Sequence, residues 1–216
     1  MDALVLQAVL PELLEELRGR PVTKVELAGR FGVLLRFGGS RRLLYLSAHP
    51  ELSRLGLLDE PPRLGEPRPG PANLSEPLRG SHLTRVSQTP GDRVATLVFE
   101  NEDQRHRKPR LIAELIPRFA NVILLGNEDR ILWSAREFGG ERVREVRAGR
   151  PYVPPEPDPG ISLGAVDAAA LTGRLEETDP IRPFHRRLPR AWGGGVPPPS
   201  GLWAQGHSPI FHGAPK

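Results

Sequence analysis

The sequence contains no cysteine, and that absence removes a disulfide framework, a thiolate zinc site and a cysteine nucleophile together. Lysine is nearly missing as well. Lys24, Lys108 and Lys216 are the only three, so arginine supplies the other 27 of 30 basic residues. With abundant Ala, Gly and Pro, this reads as the codon bias of a GC-rich genome. Six histidines remain as metal ligands (His49, His82, His106, His185, His207 and His212), and no two stand at helical ligand spacing. No metal is therefore expected.

Long apolar runs are lacking too. Residues 3–10 are apolar, but no basic segment precedes them and Glu12, Glu15 and Glu16 follow closely, so no signal peptide or membrane span is expected. A soluble cytoplasmic protein without a membrane partner is the expectation. Apolar residues make up 38% of the 216, enough for a packed core.

The net charge of +4 is unevenly placed. Residues 181–216 carry Arg182, Arg186, Arg187, Arg190 and Lys216 and no acid; removing those five leaves 25 basic against 26 acidic residues in the body. Global charge thus makes no case for a nucleic-acid partner, and any such case must rest on local placement.

Asp2 can cap a helix over residues 3–18, with Leu6, Val9, Leu10, Leu13, Leu14 and Leu17 as its buried stripe and Pro11 kinking it or opening its second half. Strands are expected at 22–27, 31–37 and 41–47, with Gly29 and Gly38-Gly39 in the turns. Residues 50–77 read as a long crossing loop rich in Pro, Gly and charge. A second set of strands follows at 83–88, 93–100, 110–116, 121–125 and 131–135. An internal echo links the sets. Leu17-Arg18-Gly19 and Val22-Thr23-Lys24-Val25 recur as Leu78-Arg79-Gly80 and Leu83-Thr84-Arg85-Val86, and residues 29–37 match 91–99. Either a duplicated unit or two strand–turn–strand segments with similar demands accounts for it. The fold class expected is α+β, a β-rich sandwich with flanking helices.

Few residues offer chemistry. Thr89-Pro90-Gly91-Asp92 has Pro and Gly where a type II turn wants them, which places Asp92 and Arg93 at the sheet's rim. An arginine held there by the adjacent carboxylate suits RNA, since its planar fork grips a phosphate or stacks on a base. The pair is equally readable as a surface contact contributing little. Glu114 interrupts the apolar run Leu111-Ile112-Ala113-Glu114-Leu115-Ile116. Such a carboxylate points to solvent on an edge, the commoner outcome, or accepts bonds from a partner. Arg118 and Asn121 on the next turn are candidates for the same rim. Neither Asp92 nor Glu114 has a companion nucleophile or histidine at suggestive spacing. No serine elbow or phosphate-cradling glycine loop occurs, so no catalytic residue and no cofactor is expected.

The opening Met1-Asp2-Ala3 helix, Leu46-Ser47-Ala48-His49-Pro50, the Gly91-Asp92-Arg93 turn, Leu111-Ile112-Ala113-Glu114-Leu115 leading to Asn121-Val122-Ile123-Leu124, and the closing Gly149-Arg150-Pro151-Tyr152-Val153-Pro154-Pro155 come in the order and spacing of a known domain. Residues 1–158 resemble the N-terminal domain of the NFACT family of ribosome-associated quality-control proteins, whose bacterial members were first named fibronectin-binding proteins. The resemblance implies a fold like the N-terminal domain of formamidopyrimidine-type DNA glycosylases. It does not imply their activity, because Met1-Asp2 replaces the Pro-Glu those enzymes use. It implies a non-enzymatic module that binds tRNA on large ribosomal subunits carrying peptidyl-tRNA, for untemplated alanine tailing of stalled peptides. Asp92 and Arg93 match the family's tRNA-binding pair, and Glu114, Leu115 and Ile116 its glutamate with two apolar residues. Pro117, Phe119 and Ala120 depart from the family's Gly-x-His-Ser-Asn turn, while Asn121 keeps it. Fibronectin is the alternative partner, and a nucleic-acid-binding module without a ribosomal role the other alternative.

Residues 159–180 are expected as a linker and the start of a helix-hairpin-helix region, with a weak helical pattern at 161–177. Residues 181–216 hold seven prolines, six glycines and two of the three tryptophans. That stretch reads as a disordered basic tail or as the product of a shifted reading frame in a truncated chain.

Overall fold

A computed structural model describes residues 1–101, 108–140 and 143–156, with the residue pairs 161–162 and 181–182. Asp2 lies in extended conformation, and its carboxylate accepts the Leu4 N–H at 3.0 Å, satisfying a free donor of the first helical turn. Helix α1 (Ala3–Leu17) then runs through Pro11 as one element. Leu6, Leu10, Leu13 and Leu17 are buried at three- and four-residue spacing, with Val9 and Leu14 half-buried beside them.

Five strands follow as one antiparallel sheet: β1 (Val22–Ala28), β2 (Gly32–Phe37), β3 (Leu43–Ser47), β4 (Arg54–Leu58) and β5 (Arg68–Pro69), in spatial order β4-β3-β2-β1-β5. Helix α2 (Ala72–Leu78) leads to a second antiparallel sheet of β6 (His82–Gln88), β7 (Val94–Glu100), β8 (Arg110–Glu114), β9 (Asn121–Leu125) and β10 (Ile131–Ser134), a meander in order β10-β9-β8-β7-β6. A hairpin of β11 (Phe138–Gly140) and β12 (Val143–Val146) comes next, and the two-residue strands β13 (Ile161–Ser162) and β14 (Ile181–Arg182) pair in parallel. The architecture is α+β and β-rich.

The echo in the sequence falls on matching structure. Each copy begins at a helix end, turns at a glycine of positive φ (Gly19 at 72° and Gly80 at 77°), and continues into a hairpin, β1–β2 or β6–β7. The copies also meet: Val22 N–H donates to Ser81 C=O, and Gly80 N–H to Val22 C=O, both at 2.8 Å.

The main core gathers Leu6 and Leu13 of α1, Leu35 and Leu44 of the first sheet, Leu74 of α2, and Leu97, Leu111 and Leu124 of the second. Each fully buried leucine contributes about 1.5–3 kcal/mol. A second core lies on the other face of the second sheet, where Val94, Ile112, Ile123, Leu125 and Ile131 are covered by Val146, Phe138 and Tyr152. Both faces of β8 and β9 are therefore buried.

Two expectations are corrected. Residues 50–77 are not a crossing loop: they hold β4, β5 and most of α2. The prolines there fall where they do little harm, Pro69 at the end of an edge strand, Pro71 at a helix N-cap and Pro77 in a last turn. The strand expected over 110–116 ends at Glu114: Leu115 N–H still bonds the Arg93 C=O at 2.8 Å, but the Arg93 N–H that would return the bond goes to the Asp92 carboxylate, and the Leu115 C=O accepts from Ser53 Oγ. The helical pattern at 161–177 and the tail lie outside the described residues, apart from the short strands named.

Candidate nucleic-acid interface

In an antiparallel meander alternate turns fall at the same end of the sheet. Here the β1–β2 and β3–β4 turns of the first sheet lie at the end that carries the β6–β7 and β8–β9 turns of the second. Direct bonds join them. Arg118 N–H donates to Pro50 C=O at 3.1 Å, Ser53 Oγ to Leu115 C=O at 3.3 Å, and the Met1 ammonium to Ser53 C=O at 3.2 Å. Gln88 Nε2 donates to the carbonyls of Ala3 and Asp92, at 2.9 and 2.6 Å. Most sequence candidates stand at this end.

The β6–β7 turn has the geometry its sequence demands. Asp92 N–H donates back to Thr89 C=O at 3.0 Å, and Gly91 takes φ 70°, the left-handed position that a type II turn reserves for glycine. The Asp92 carboxylate does not hold the Arg93 guanidinium as expected. It is buried, and it accepts the Arg93 backbone N–H at 2.7 Å. The half-buried Arg93 side chain makes no ion pair with any described carboxylate. Burial first, then the charge of Arg93, lowers the proton affinity of the Met1 amine.

Glu114 departs from the expectation of a solvent-facing carboxylate. It is fully buried, on the same face of β8 as Ile112, and so points into the second core. There it accepts from Arg144 and, at 2.8 Å, from the Tyr152 hydroxyl. Burial raises its pKa above the ordinary carboxylate value, with Arg144 opposing and Asp92 reinforcing the rise. The Tyr152 phenol is pushed up in turn by burial and by Glu114. Leu115 is buried in the main core, and Ile116 packs half-buried against the second.

Arg118 is exposed and takes φ 68°, a left-handed conformation uncommon for a residue with a side chain. Asn121 does not line the rim: it is fully buried, its Oδ1 accepting the N–H of Val122 and Arg136 and its Nδ2 donating to Arg136 C=O at 2.8 Å. Arg136 in turn donates from one guanidinium nitrogen to the carbonyls of Arg118 and Ala120, at 2.9 and 3.0 Å. It thus fixes the β8–β9 turn. Burial and the charge of Arg30 lower its pKa.

A family model for the NFACT N-terminal and middle domains matches residues 2–192. The chain belongs to the NFACT family. The N-terminal domain of fibronectin-binding protein PavA from Streptococcus pneumoniae shares its fold at TM-score 0.67 and 23% identity, over 82% of this NFACT chain and 72% of that one. The N-terminal part of the fibronectin/fibrinogen-binding protein from Streptococcus suis does so at 0.67 and 21%, over 81% and 68%. The fibrinogen binding protein from Staphylococcus aureus gives 0.64 and 22%, over 80% and 62%. At these identities the likeness is one of fold. No curated protein matches by sequence.

Within the NFACT chain, sequence reasoning missed Arg136 and Arg144. Each lies far from the residue it serves, Arg144 donating to a glutamate 30 residues earlier, and neither stands in a motif. Tyr152 belonged to a quoted landmark, and its hydroxyl's partner carried no local signal. No helix among the described residues is long and apolar enough to cross a membrane.

Proposed function

We propose that this chain is a tRNA-binding module of a ribosome-associated quality-control factor. It recognises tRNA on cytoplasmic large ribosomal subunits obstructed by peptidyl-tRNA, in the service of untemplated tailing, and catalyses nothing itself. The observation that carries the reading is the family membership, joined to a converged end at which Arg30, Arg93 and Arg118 have no carboxylate partner among the described residues, while Asp92 and Glu114 are buried and already bonded. Cations left free beside neutralised acids favour phosphate. The same arrangement argues against acid–base catalysis, because both carboxylates are engaged in holding the scaffold. A kinship of the fold with formamidopyrimidine-type glycosylase domains belongs to this proposal too.

A second reading, adhesion to fibronectin, draws on two proteins of similar fold that are named for binding it. Filter binding separates the two, with tRNA, duplex DNA and fibronectin offered to the 216-residue chain. Retention of tRNA and co-sedimentation with large subunits are expected. Retention of fibronectin alone would replace the proposal by the adhesin.

A further inference from the structure

Four strands lie at the edges of the two five-stranded sheets, and three of them are blunted. β5 is two residues long and ends on Pro69. β6 begins at a bridge between Pro21 and His82, shifts register between Leu83 and Arg85, and bears the exposed Arg85. β10 shifts register between Ile131 and Trp133; Ile131 also exchanges bonds with Gly149 and Arg150, and the Leu132 C=O accepts from Asn73. Short strands, prolines, bulges, charges and covering groups all keep an edge from pairing with another chain.

β4 has none of these devices. Its residues Arg54-Leu55-Gly56-Leu57-Leu58 pair with β3 in unbroken register and include no proline and no acid. The one charge, Arg54, lies 5.2 Å from the ring of Tyr45 on the neighbouring strand, over its own sheet. Half the backbone N–H and C=O groups of an edge strand point away from the sheet. Among the described residues no bond reaches those of β4. Gly56 stands at the centre of the strand, outside the left-handed region, and a Cβ added there would meet no atom within 4 Å. Nothing within the chain therefore demands a glycine. A glycine inside a strand weakens it, and it is found where another backbone approaches closely.

We infer that β4 is an interface with a second copy of this chain, the two β4 strands pairing antiparallel about a two-fold axis at Gly56 and joining the first sheets of both copies into one. At the axis of such a pair a residue faces its own counterpart, and glycine alone brings no side chain to crowd it. With the axis there, Leu55 stands opposite the partner's Leu57 and Arg54 opposite the partner's Leu58. Each face of the sheet continues into the same face of the partner's, and no like charges meet. A foreign strand would need a polar or charged side chain on this edge to select it, whereas β4 offers leucines and a glycine. Pairing uses up the β4 edge of both copies, so assembly stops at two. The paired strands run oppositely, which sends the two candidate nucleic-acid interfaces to opposite ends of the joined sheet and leaves both open. The inference does not depend on what they bind.

Sedimentation equilibrium of the whole chain, run over a range of concentrations, tests it. The wild type should show a reversible monomer–dimer equilibrium. Gly56→Lys has room within one chain, so its thermal melt at low concentration should match that of wild type. It sets two like charges face to face at the axis, however, and should weaken association about tenfold or more. Gly56→Glu should do the same. Mixing the two variants should restore the dimer as a heterodimer, because only at the axis does residue 56 meet its own counterpart. A wild type that stays monomeric into the millimolar range overturns the inference, and so does a dimer that both variants leave intact. Open-ended aggregates in place of a dimer would overturn the two-fold pairing. Loss of the dimer in both variants without recovery on mixing would overturn the placement of the axis at Gly56.

Discussion

Tyr152 donates its hydroxyl proton to Glu114 at 2.8 Å across 38 residues of sequence, which ties the end of the domain to the strand that leads into the candidate interface. Glu114 is the centre of a buried strut. Arg144 holds its other oxygen, and Leu115, next along the chain, bonds the Arg93 carbonyl. Any effect of Glu114 on RNA binding runs through this strut, since its side chain is covered on every side.

Glu114→Ala should therefore act first on stability. Removing one partner of a buried ion pair leaves Arg144 uncompensated and costs about 3 kcal/mol, while Tyr152→Phe removes one charged hydrogen bond and costs about 1.5 kcal/mol. Urea denaturation of the three proteins measures both. Tyr152→Phe should bind tRNA nearly as wild type does. A variant of native stability with no tRNA binding would show that Glu114 or Tyr152 touches the ligand.

Of the two outcomes open to Glu114 in the sequence, the structure takes the less common, a carboxylate bonded to buried partners. An antiparallel sheet commonly has one wet face, and a glutamate between Ala113 and Leu115 then points to water. Here the outer face is covered by Phe138, Val146 and Tyr152, residues joined to β8 only by the fold. Local signals were sufficient elsewhere. Asp2 caps α1, Gly91 takes the conformation its turn demands, and the leucine spacing of α1 marks its buried side. The proline-rich stretch failed for another reason, because Pro69, Pro71 and Pro77 occupy element ends where proline is tolerated. Arg136 carried no legible signal at all: its work is done on two carbonyls and two rings that only the folded turns bring together.

Asp92 offers a test of charge against shape. Its carboxylate accepts one backbone N–H, a role an asparagine amide oxygen fills equally well. Asp92→Asn should keep stability and tRNA affinity near wild type and lessen the strain on neighbouring Glu114. Asp92→Ala should lose about 1 kcal/mol of stability by freeing the Arg93 N–H. Thermal melts and filter binding on the pair decide it; a large loss of tRNA affinity in the asparagine variant would mean the negative charge itself is used.

Two buried glutamates should pull the acid stability in opposite directions. Burial pushes Glu26 up, but hydrogen bonds and charge from Lys24 and Arg36 outweigh it, so its pKa lies below the ordinary 4.5. Its contribution is then complete above pH 4.5 and lost as pH falls through the folded value. Glu114 is the reverse. Its native state takes a proton at higher pH than the unfolded chain, so acidification from neutral towards 4.5 favours folding through this group. The stability of wild type relative to Glu26→Gln should shrink on acidification below 4.5. Relative to Glu114→Gln it should grow on acidification towards that value. Urea titrations from neutral to acid pH measure both differences, and parallel curves for the two variants would contradict the assignment.

The last prediction concerns Arg93, whose side chain is the one tRNA-binding candidate that is partly exposed, cationic and carried by the β6–β7 turn. Its backbone is fixed on both sides: the N–H by Asp92 and the C=O by Leu115. The guanidinium has no carboxylate among the described residues to release before it meets a phosphate, so little is lost on binding. Arg93→Ala should cost about 1.5–3 kcal/mol of tRNA affinity, the range of a charged hydrogen bond, with the fold unchanged because the fixed groups are backbone atoms. Arg93→Lys keeps the charge and loses the planar fork, and it should recover only part of the affinity. Binding measured across a range of salt separates the two contributions. The alanine variant should show a shallower salt dependence than wild type, by about one phosphate contact, and the lysine variant should keep the slope at lower affinity. Equal tRNA binding by wild type and Arg93→Ala would reduce this residue to an ordinary surface arginine and move the search for the tRNA contact to Arg118 and Arg30.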